Sequence, residues 1–380
     1  MESFFLNYFA CRLRAAAVAL LLGPVLVAPG GCGQAPQAGG GFSVTRRFAA
    51  EIAGPEDFEV DLGSPAAPRL IVSAFDRQHD GRGGLHAIPL GENGPGAPEL
   101  LLDRIHGCPL RPHGISLIRG EDGVLRLYAI NHRREADAKN DCRLPRAPDG
   151  RPLLHTVERF AVGDDGGLLH EATLADPLLS SPNGIVATAD GQLYVSNEIN
   201  AHSTATKMLE FFRLRTTSGV IHYRTGRWRR VLTGPRYANG LAVHGDRFYV
   251  AGSMDEVIDI HRRDPATGNI GARVERIRFA SAVDNLSWGL GPGGERDHTT
   301  LYTAGHPDRL RYMRYKFFDP QAPSPSEVYR IDLAASPARA ERIYYDDGRQ
   351  LSGSSVAIFY EGDLYVGQFW GNGLFRITKD

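Results

Sequence analysis

Along this chain, short apolar runs come in pairs split by a tight turn, and the clearest pair lies within residues 181–198. Ser181-Pro-Asn-Gly184 opens an apolar stretch, Asp190-Gly191 turns the chain, and Gln192-Leu-Tyr-Val195 returns, which is the pattern of a β-hairpin. The same order is written six times. Asp57–Gly63 leads to Arg69–Phe75, His113-Gly-Ile-Ser-Leu117 to Arg126–His132, and Asn239-Gly-Leu-Ala-Val243 to Arg247–Gly252. Asp284-Asn-Leu-Ser-Trp288 leads to Thr300–His306, and Ser354-Ser-Val-Ala-Ile358 to Asp363–Gly367. The returning runs begin near 69, 126, 192, 247, 300 and 363, a drifting period typical of a repeat architecture. Each unit carries a third run, usually an aromatic or apolar residue ahead of Arg: Gly84–Ile88, Val157–Phe160, Leu209–Arg213, Val257–Arg262, Glu327–Ile331 and Gly373–Ile377. Three or four strands in each of six units predict an all-β fold, a six-bladed β-propeller whose repeated sheets leave only short, protected edges. The competing architecture is a sandwich or a two-domain β protein, which does not account for six copies in phase.

Residues 1–41 stand apart as an export signal and linker, and residues 42–380 are expected to form one propeller domain. Arg12 and Arg14 precede an apolar run over Ala15–Ala28 and then small residues up to Cys32, the build of an export signal. That run is shorter than the ~20 residues of a membrane-spanning helix. Gly30-Gly-Cys32 is similar to a bacterial lipoprotein cleavage site, while Pro29 departs from the usual aliphatic residue; lipidation, plain secretion and an uncleaved anchor all stay open. The expected location is exported, whether periplasmic, secreted or lipid-anchored, with membrane contact only through an N-terminal lipid. A net charge of −1 argues against nucleic acid or an anionic membrane as the main partner. Only four of the 43 basic residues are Lys, which reads as codon bias and not as a binding signal.

Cys11 and Cys32 belong to the export segment, which leaves Cys108 and Cys142. An oxidising compartment makes a Cys108–Cys142 disulfide, stapling the insertion between His132 and His155, the expectation; two free thiols are the alternative. Gly289–Gly294 fits a Gly-x-Gly-x-x-Gly string, but no helix pattern follows it and it reads as a loop. The aromatic and basic segment over 200–235 (Phe211, Phe212, His222, Tyr223, Trp228) reads as a long blade hairpin in preference to a substrate lid.

Propeller blades radiate from a central channel, so the first residues of each innermost strand face the axis. Glu56-Asp57, His113, Asn183, Asn239, Asp284-Asn285 and Ser354-Ser355 hold those six places, and all are polar. Turns favour Asn, Asp and Ser in any case; six converging on one axis is a different matter. A ring of carboxylate and amide oxygens suits calcium, which takes six to eight oxygen ligands, whereas zinc favours His or Cys. Glu56 and Asp284 balance a divalent charge, and Asn183, Asn239 and Asn285 fill the sphere. A calcium that only plugs the channel is the alternative role for the ion.

The chain resembles the paraoxonase family of calcium-dependent lactonases and arylesterases from about Gly54 to Ile377. The resemblance rests on Gly54-Pro-Glu-Asp-Phe-Glu59, Pro112-His-Gly-Ile-Ser116, Ile130-Asn-His132, Pro182-Asn-Gly-Ile-Val186, Tyr237-Ala-Asn-Gly240, Val283-Asp-Asn-Leu-Ser287, Gly305-His-Pro307, Pro325–Ile331 and Leu351–Ala357 in this order. It implies catalytic calcium ligands at Glu56, Asn183, Asn239, Asp284 and Asn285, and active-site histidines at His113 and His132. The family's second, buried calcium would use Asp57, the carbonyl of Ile115 and an acidic residue where this chain has Gly184, so that ion stays open. The family's disulfide between the two ends of the propeller has no partners here, and the insertion carrying Cys142 would rim the active-site mouth.

The implied reaction is calcium-dependent hydrolysis of a lactone, with aryl ester hydrolysis as a side activity, on a small-molecule lactone or ester substrate. Calcium would polarise the carbonyl and stabilise the developing oxyanion, His113 would take a proton from the attacking water, and His132 would orient it or relay the proton. Glu56 is the alternative base, His132 taken alone reads as a strand histidine filling space beside Asn131 and becomes a site residue only through its pairing with His113, and His306 reads as part of the pocket wall. No Gly-x-Ser-x-Gly elbow offers a serine nucleophile. Two other functions fit the fold: a gluconolactonase-like sugar lactonase, which lacks the His pair, and a non-catalytic propeller that binds protein or another ligand.

Overall fold

A computed structural model describes residues 42–79, 83–140, 142–199, 217–291 and 295–379. The export segment with Cys11 and Cys32, the aromatic residues Phe211 and Phe212, and the end of the Gly289–Gly294 string lie outside the described residues. Six antiparallel sheets of four or five strands form the propeller, each with the strand nearest the hub first. Blade 1 comprises Pro55–Asp61, Arg69–Phe75 and Gly83–Gly91, with short outer strands at Gly94–Pro95 and Glu99–Leu102. Blade 2 comprises Pro112–Arg119, Leu125–His132, His155–Val162 and Leu168–Ala175. Blade 3 is Pro182–Ala187, Leu193–Asn197, Gly219–Arg224 and Arg227–Thr233; blade 4 is Ala238–His244, Arg247–Gly252, Val257–Arg263 and Ile270–Arg278. Blade 5 is Ala282–Leu290, Arg296–His306, Ser326–Asp332 and Arg339–Asp346.

Blade 6 is built from both ends of the chain. Ser354–Tyr360, Asp363–Gln368 and Asn372–Lys379 are completed by Phe42–Ala53, which pairs antiparallel with the last strand from Phe42 opposite Lys379 to Ala53 opposite Asn372. The repeat read from sequence begins after this strand and does not include it. A second correction concerns blade 3. Its third strand is Gly219–Arg224, whereas the run Leu209–Arg213 expected there lies outside the described residues. Tyr223 and Trp228 face each other across the outer hairpin of that blade, as the hairpin reading of the segment expects.

The pattern of burial follows from stacking blade on blade. Arg69–Phe75 is buried along its whole length because neighbouring blades cover both its faces, while outermost strands such as Ile270–Arg278 are largely exposed. Between blades 2 and 3, Tyr128, Ile130 and Val157 pack on Ile185, Leu193, Val195 and Ile221. Each fully buried aliphatic side chain in such a seam contributes about 1.5–3 kcal/mol. Cys108 and Cys142 form a disulfide, with Cα atoms 4.8 Å apart, that ties the insertion after His132 to the chain entering blade 2. A buried two-point ion pair from Arg111 to Asp137, at 2.7 and 3.0 Å, holds the same insertion. Among the described residues one α-helix, α1 (Arg309–Phe317), is inserted directly after His306 of blade 5.

Candidate active site

All six innermost strands break register with their neighbour at the hub end. The breaks fall between Pro55 and Asp57, Pro112 and Ile115, Pro182 and Ile185, Ala238 and Leu241, Val283 and Leu286, and Ser354 and Ala357. Such a bulge re-aims a side chain out of the regular alternation. The residues inside the breaks are Glu56, His113, Asn183, Asn239, Asp284 with Asn285, and Ser355, so the positions picked out by sequence are brought to one hub.

Glycines let the blades approach there. A Cβ on Gly114 would strike the carbonyl oxygen of Asn183; one on Gly184 would lie 2.6 Å from that of Asn239, and one on Gly240 2.6 Å from that of Asp284. Serines close the rest of the circle: Ser73 Oγ donates to His113 O, Ser354 Oγ to Gly305 O, and Ser355 Oγ to Glu56 O. Gly240→Ala is expected to destabilise the fold by about 1–3 kcal/mol, the usual cost of overpacking, and to loosen the hub. Gly271→Ala is the control, because its nearest neighbours lie at 3.8 Å. Denaturant unfolding of both variants checks this, and equal midpoints would contradict it.

The hub is buried and polar: Glu56, Asn183, Asn239, Asp284 and Asn285 are at most 6% exposed. Asn239 Nδ2 donates to Asp284 Oδ1 at 2.6 Å, and Asn183 Nδ2 donates to Glu198 Oε1. A carboxylate only accepts, so these contacts fix which end of each amide carries nitrogen and which oxygen. Asn183 Oδ1, Asn239 Oδ1 and Glu56 Oε2 are left buried with no hydrogen-bond partner. Leaving one such atom unsatisfied costs about 1–3 kcal/mol, and three oxygens on three blades share this condition. Burial works to raise the Glu56 pKa, but His113, Arg77 and Lys316 more than offset it, and it lies below the usual value. Burial pushes Asp284 up despite the hydrogen bond from His306 Nε2 at 3.2 Å. No group of three or more His, Cys, Asp or Glu among the described residues is arranged to hold a metal, so a cation at this hub would lean on the amide oxygens.

Asp57 and Ile115 sit differently. Asp57 Oδ1 accepts from Phe58 N and Oδ2 from Ile115 N, both at 2.9 Å, and Gly184 has no room for a side chain toward Asn239. These residues line a small cavity of about 50 Å³ in the channel below the hub.

Three histidines run outward from Glu56. His113 Nε2 lies 3.0 Å from Glu56 Oε1, His132 Nε2 lies 2.9 Å from His113 Nδ1, and His132 Nδ1 lies 2.8 Å from His155 Nδ1. The acceptor-only carboxylate sets the order if all rings are neutral: His155 donates to His132, His132 to His113, and His113 to Glu56. Burial, followed by the charges of His155, His113 and Arg77, holds the His132 pKa well below the usual value. Its strand is anchored by Asn131, which accepts from Arg111 N and donates to the buried Glu158.

His155, Glu198, Tyr237 and Lys316 were not singled out from the sequence as site side chains. His155 opens the third strand of blade 2 directly opposite His132, so strand register would have found it. Glu198 follows the second strand of blade 3 at its hub end. Lys316 Nζ donates to Tyr237 Oη at 2.7 Å from α1, a contact between remote segments with no sequence signal.

A family model described as Arylesterase matches residues 72–376. The chain belongs to the arylesterase family. Curated relatives of this arylesterase-family chain include chicken (Gallus gallus) serum paraoxonase/arylesterase 2, 28% identical over 301 residues, 78% of this chain and 77% of that protein. Human (Homo sapiens) serum paraoxonase/arylesterase 2 is 27% identical over 330 residues, 85% of each chain. Rabbit (Oryctolagus cuniculus) serum paraoxonase/lactonase 3 is 26% identical over 301 residues, covering 78% of this chain and 77% of that one. Among solved structures, a luciferin-regenerating enzyme matches with a TM-score of 0.52 at 12% identity, covering 88% of this chain and 95% of its own. An aldose sugar dehydrogenase from Streptomyces coelicolor matches with a TM-score of 0.53 at 13% identity, covering 90% and 99%. Both structural likenesses are of fold.

Proposed function

We propose that this protein is a calcium-dependent hydrolase of lactones with arylesterase side activity. The observation that carries the reading is the set of three buried, unpartnered oxygens of Glu56, Asn183 and Asn239, within one side chain of the His113–His132 pair. A hard cation is the partner such oxygens fit, with Asp284 and Asn285 completing the donor set. When bound, calcium supplies Lewis-acid polarisation of an ester carbonyl and charge for the oxyanion. Family membership and the names of the paraoxonase relatives support ester or lactone hydrolysis.

The chain's own part is proton handling. In the reversed proton order, His113 carries its proton on Nδ1 and donates it to His132 Nε2, and its Nε2 lone pair is bared to the hub; that order requires Glu56 Oε1, 3.0 Å from Nε2, to turn away, since two acceptors repel at that distance. That is the state in which His113 takes a proton from a water attacking the carbonyl. A low His132 pKa keeps that ring neutral, with one nitrogen able to accept. His306 braces Asp284 and does not face the reacting water in this scheme.

We propose one calcium and not two, since both Asp57 oxygens accept backbone N–H groups and Gly184 supplies no carboxylate. We also treat residues 42–380 as one domain, exported by means of the first 41 residues; the serum relatives fit export in general. The test is a hydrolysis screen of acyl lactones, sugar lactones and phenyl acetate with and without chelator, alongside metal analysis. Chelator-sensitive turnover of acyl lactones with one ion per chain is expected. Turnover that ignores chelator, or calcium-loaded protein inactive on every substrate, would overturn the reading.

A further inference from the structure

Lys316 is one of only four lysines in a chain with 43 basic residues, and it stands at the rim of the hub. It is the penultimate residue of α1, whose N-cap Asp308 accepts from Arg311 N at 3.0 Å. Besides its hydrogen bond to Tyr237 Oη, its Nζ lies 5.0, 5.7 and 5.6 Å from the ring centroids of Tyr237, Tyr312 and Phe369. Three rings around one ammonium hold a compact charge in a fixed place, a task for which a flat guanidinium fork is the wrong shape. Lys316 as a whole is half-buried.

The cage is joined to the hub. Tyr312 stacks on His306 at 3.8 Å with an interplanar angle of 18°, and His306 donates to Asp284. On the other side Phe369 O accepts from Arg77, whose guanidinium also reaches toward His113 Nδ1 at 3.5 Å. Tyr237 has a φ of +58°, a left-handed conformation that costs a bulky residue about 1–3 kcal/mol and persists where function holds it. Burial acts to discharge Lys316, while Tyr312, Glu198 and Asp284 outweigh it and raise its pKa, so it is cationic at neutrality. Among the described residues, Glu56, Glu198 and Asp284 bring negative charge to this region and Lys316 and Arg77 positive charge, and a divalent ion at the hub would shift that balance toward positive.

We propose that Lys316 is an anion-binding residue of this site, and that the preferred esters or lactones carry a second, negatively charged group, a carboxylate or phosphate, that meets it. The proposal rests on the ester or lactone hydrolase reading of the hub. Lys316 sets which substrates dwell there; it does not take part in proton transfer to or from the attacking water.

The test compares kcat/KM of the full, calcium-loaded chain on phenyl acetate, 4-acetoxybenzoate and 4-acetoxyphenyl phosphate, expressed as the charged-to-neutral ratio so that ring electronics cancel between variants. Lys316→Met is expected to lower the ratio by about 10-fold or more, the scale on which a partly buried charge partner acts. Lys316→Arg, which restores charge without the shape, should recover part of it, and whichever charged ester loses more identifies the anion. Tyr237→Phe keeps the ring, removes the hydrogen bond, and should lower the ratio as well; it serves if Lys316→Met does not fold. An unchanged ratio, or equal losses on all three esters as a purely structural lysine would give, overturns the proposal. If the wild type hydrolyses none of them, the hydrolase reading fails, and calorimetric binding of 4-hydroxybenzoate decides Lys316 alone. Weaker binding to Lys316→Met then supports it, and equal binding refutes it.

Discussion

Asp284→Ala should abolish calcium binding at micromolar concentrations and activity along with it. The residue is one of two carboxylates in the proposed donor set, and it also holds its neighbours: Asn239 Nδ2 donates to Oδ1, and His306 Nε2 to Oδ2. Removing it deletes charge, deletes an oxygen and frees the Asn239 amide to rotate. Loss of an outer partner alone typically costs a metal site 10- to 100-fold, so about 100-fold or more is expected here. Asn239→Ala should cost less, because a neutral oxygen goes and both carboxylates stay. Calcium titration of each variant, read beside lactone turnover, tests the order. Full activity of either variant at micromolar free calcium would contradict the hub as a calcium site.

His113→Gln should lower lactone turnover by about 10²- to 10⁴-fold, the usual worth of a positioned base, with calcium affinity little changed. The glutamine amide can reach toward Glu56 or His132 but cannot accept a proton at neutral pH. His132→Gln should cost less, since it acts through His113 across a 2.9 Å contact. A His113→Gln variant with wild-type turnover would remove His113 from the chemistry and move the base to Glu56.

What sequence could and could not reveal follows from how local each feature is. The six paired runs are visible because every blade must bury both faces of its middle strands, as Arg69–Phe75 does, and must turn tightly between them. The hub positions are visible because a bulge and a close neighbouring backbone demand a polar residue followed by glycine at His113-Gly114, Asn183-Gly184 and Asn239-Gly240. Leu209–Arg213 misled because an apolar run before Arg is a weak signal, and the third strand of blade 3 comes later. Phe42–Ala53 was missed because its partner lies at the far end of the chain. The cage around Lys316 draws on α1, blade 4 and blade 6, and only the assembled fold brings those together.

That closing strand bears on how the molecule is made. Phe42–Ala53 is synthesised ahead of the other described strands, and its partner Asn372–Lys379 after them. Until Asn372–Lys379 appears, a twelve-residue β segment has no native edge to join and is exposed to the wrong ones. Pairing across nearly the whole chain also makes closure a high-contact-order event, slow by topology. A chain truncated before Asn372 would leave the pairing of Phe42–Ala53 unmade and the ring open. Circular permutants that join the two ends and open a surface turn between other blades should relieve the delay without altering the hub.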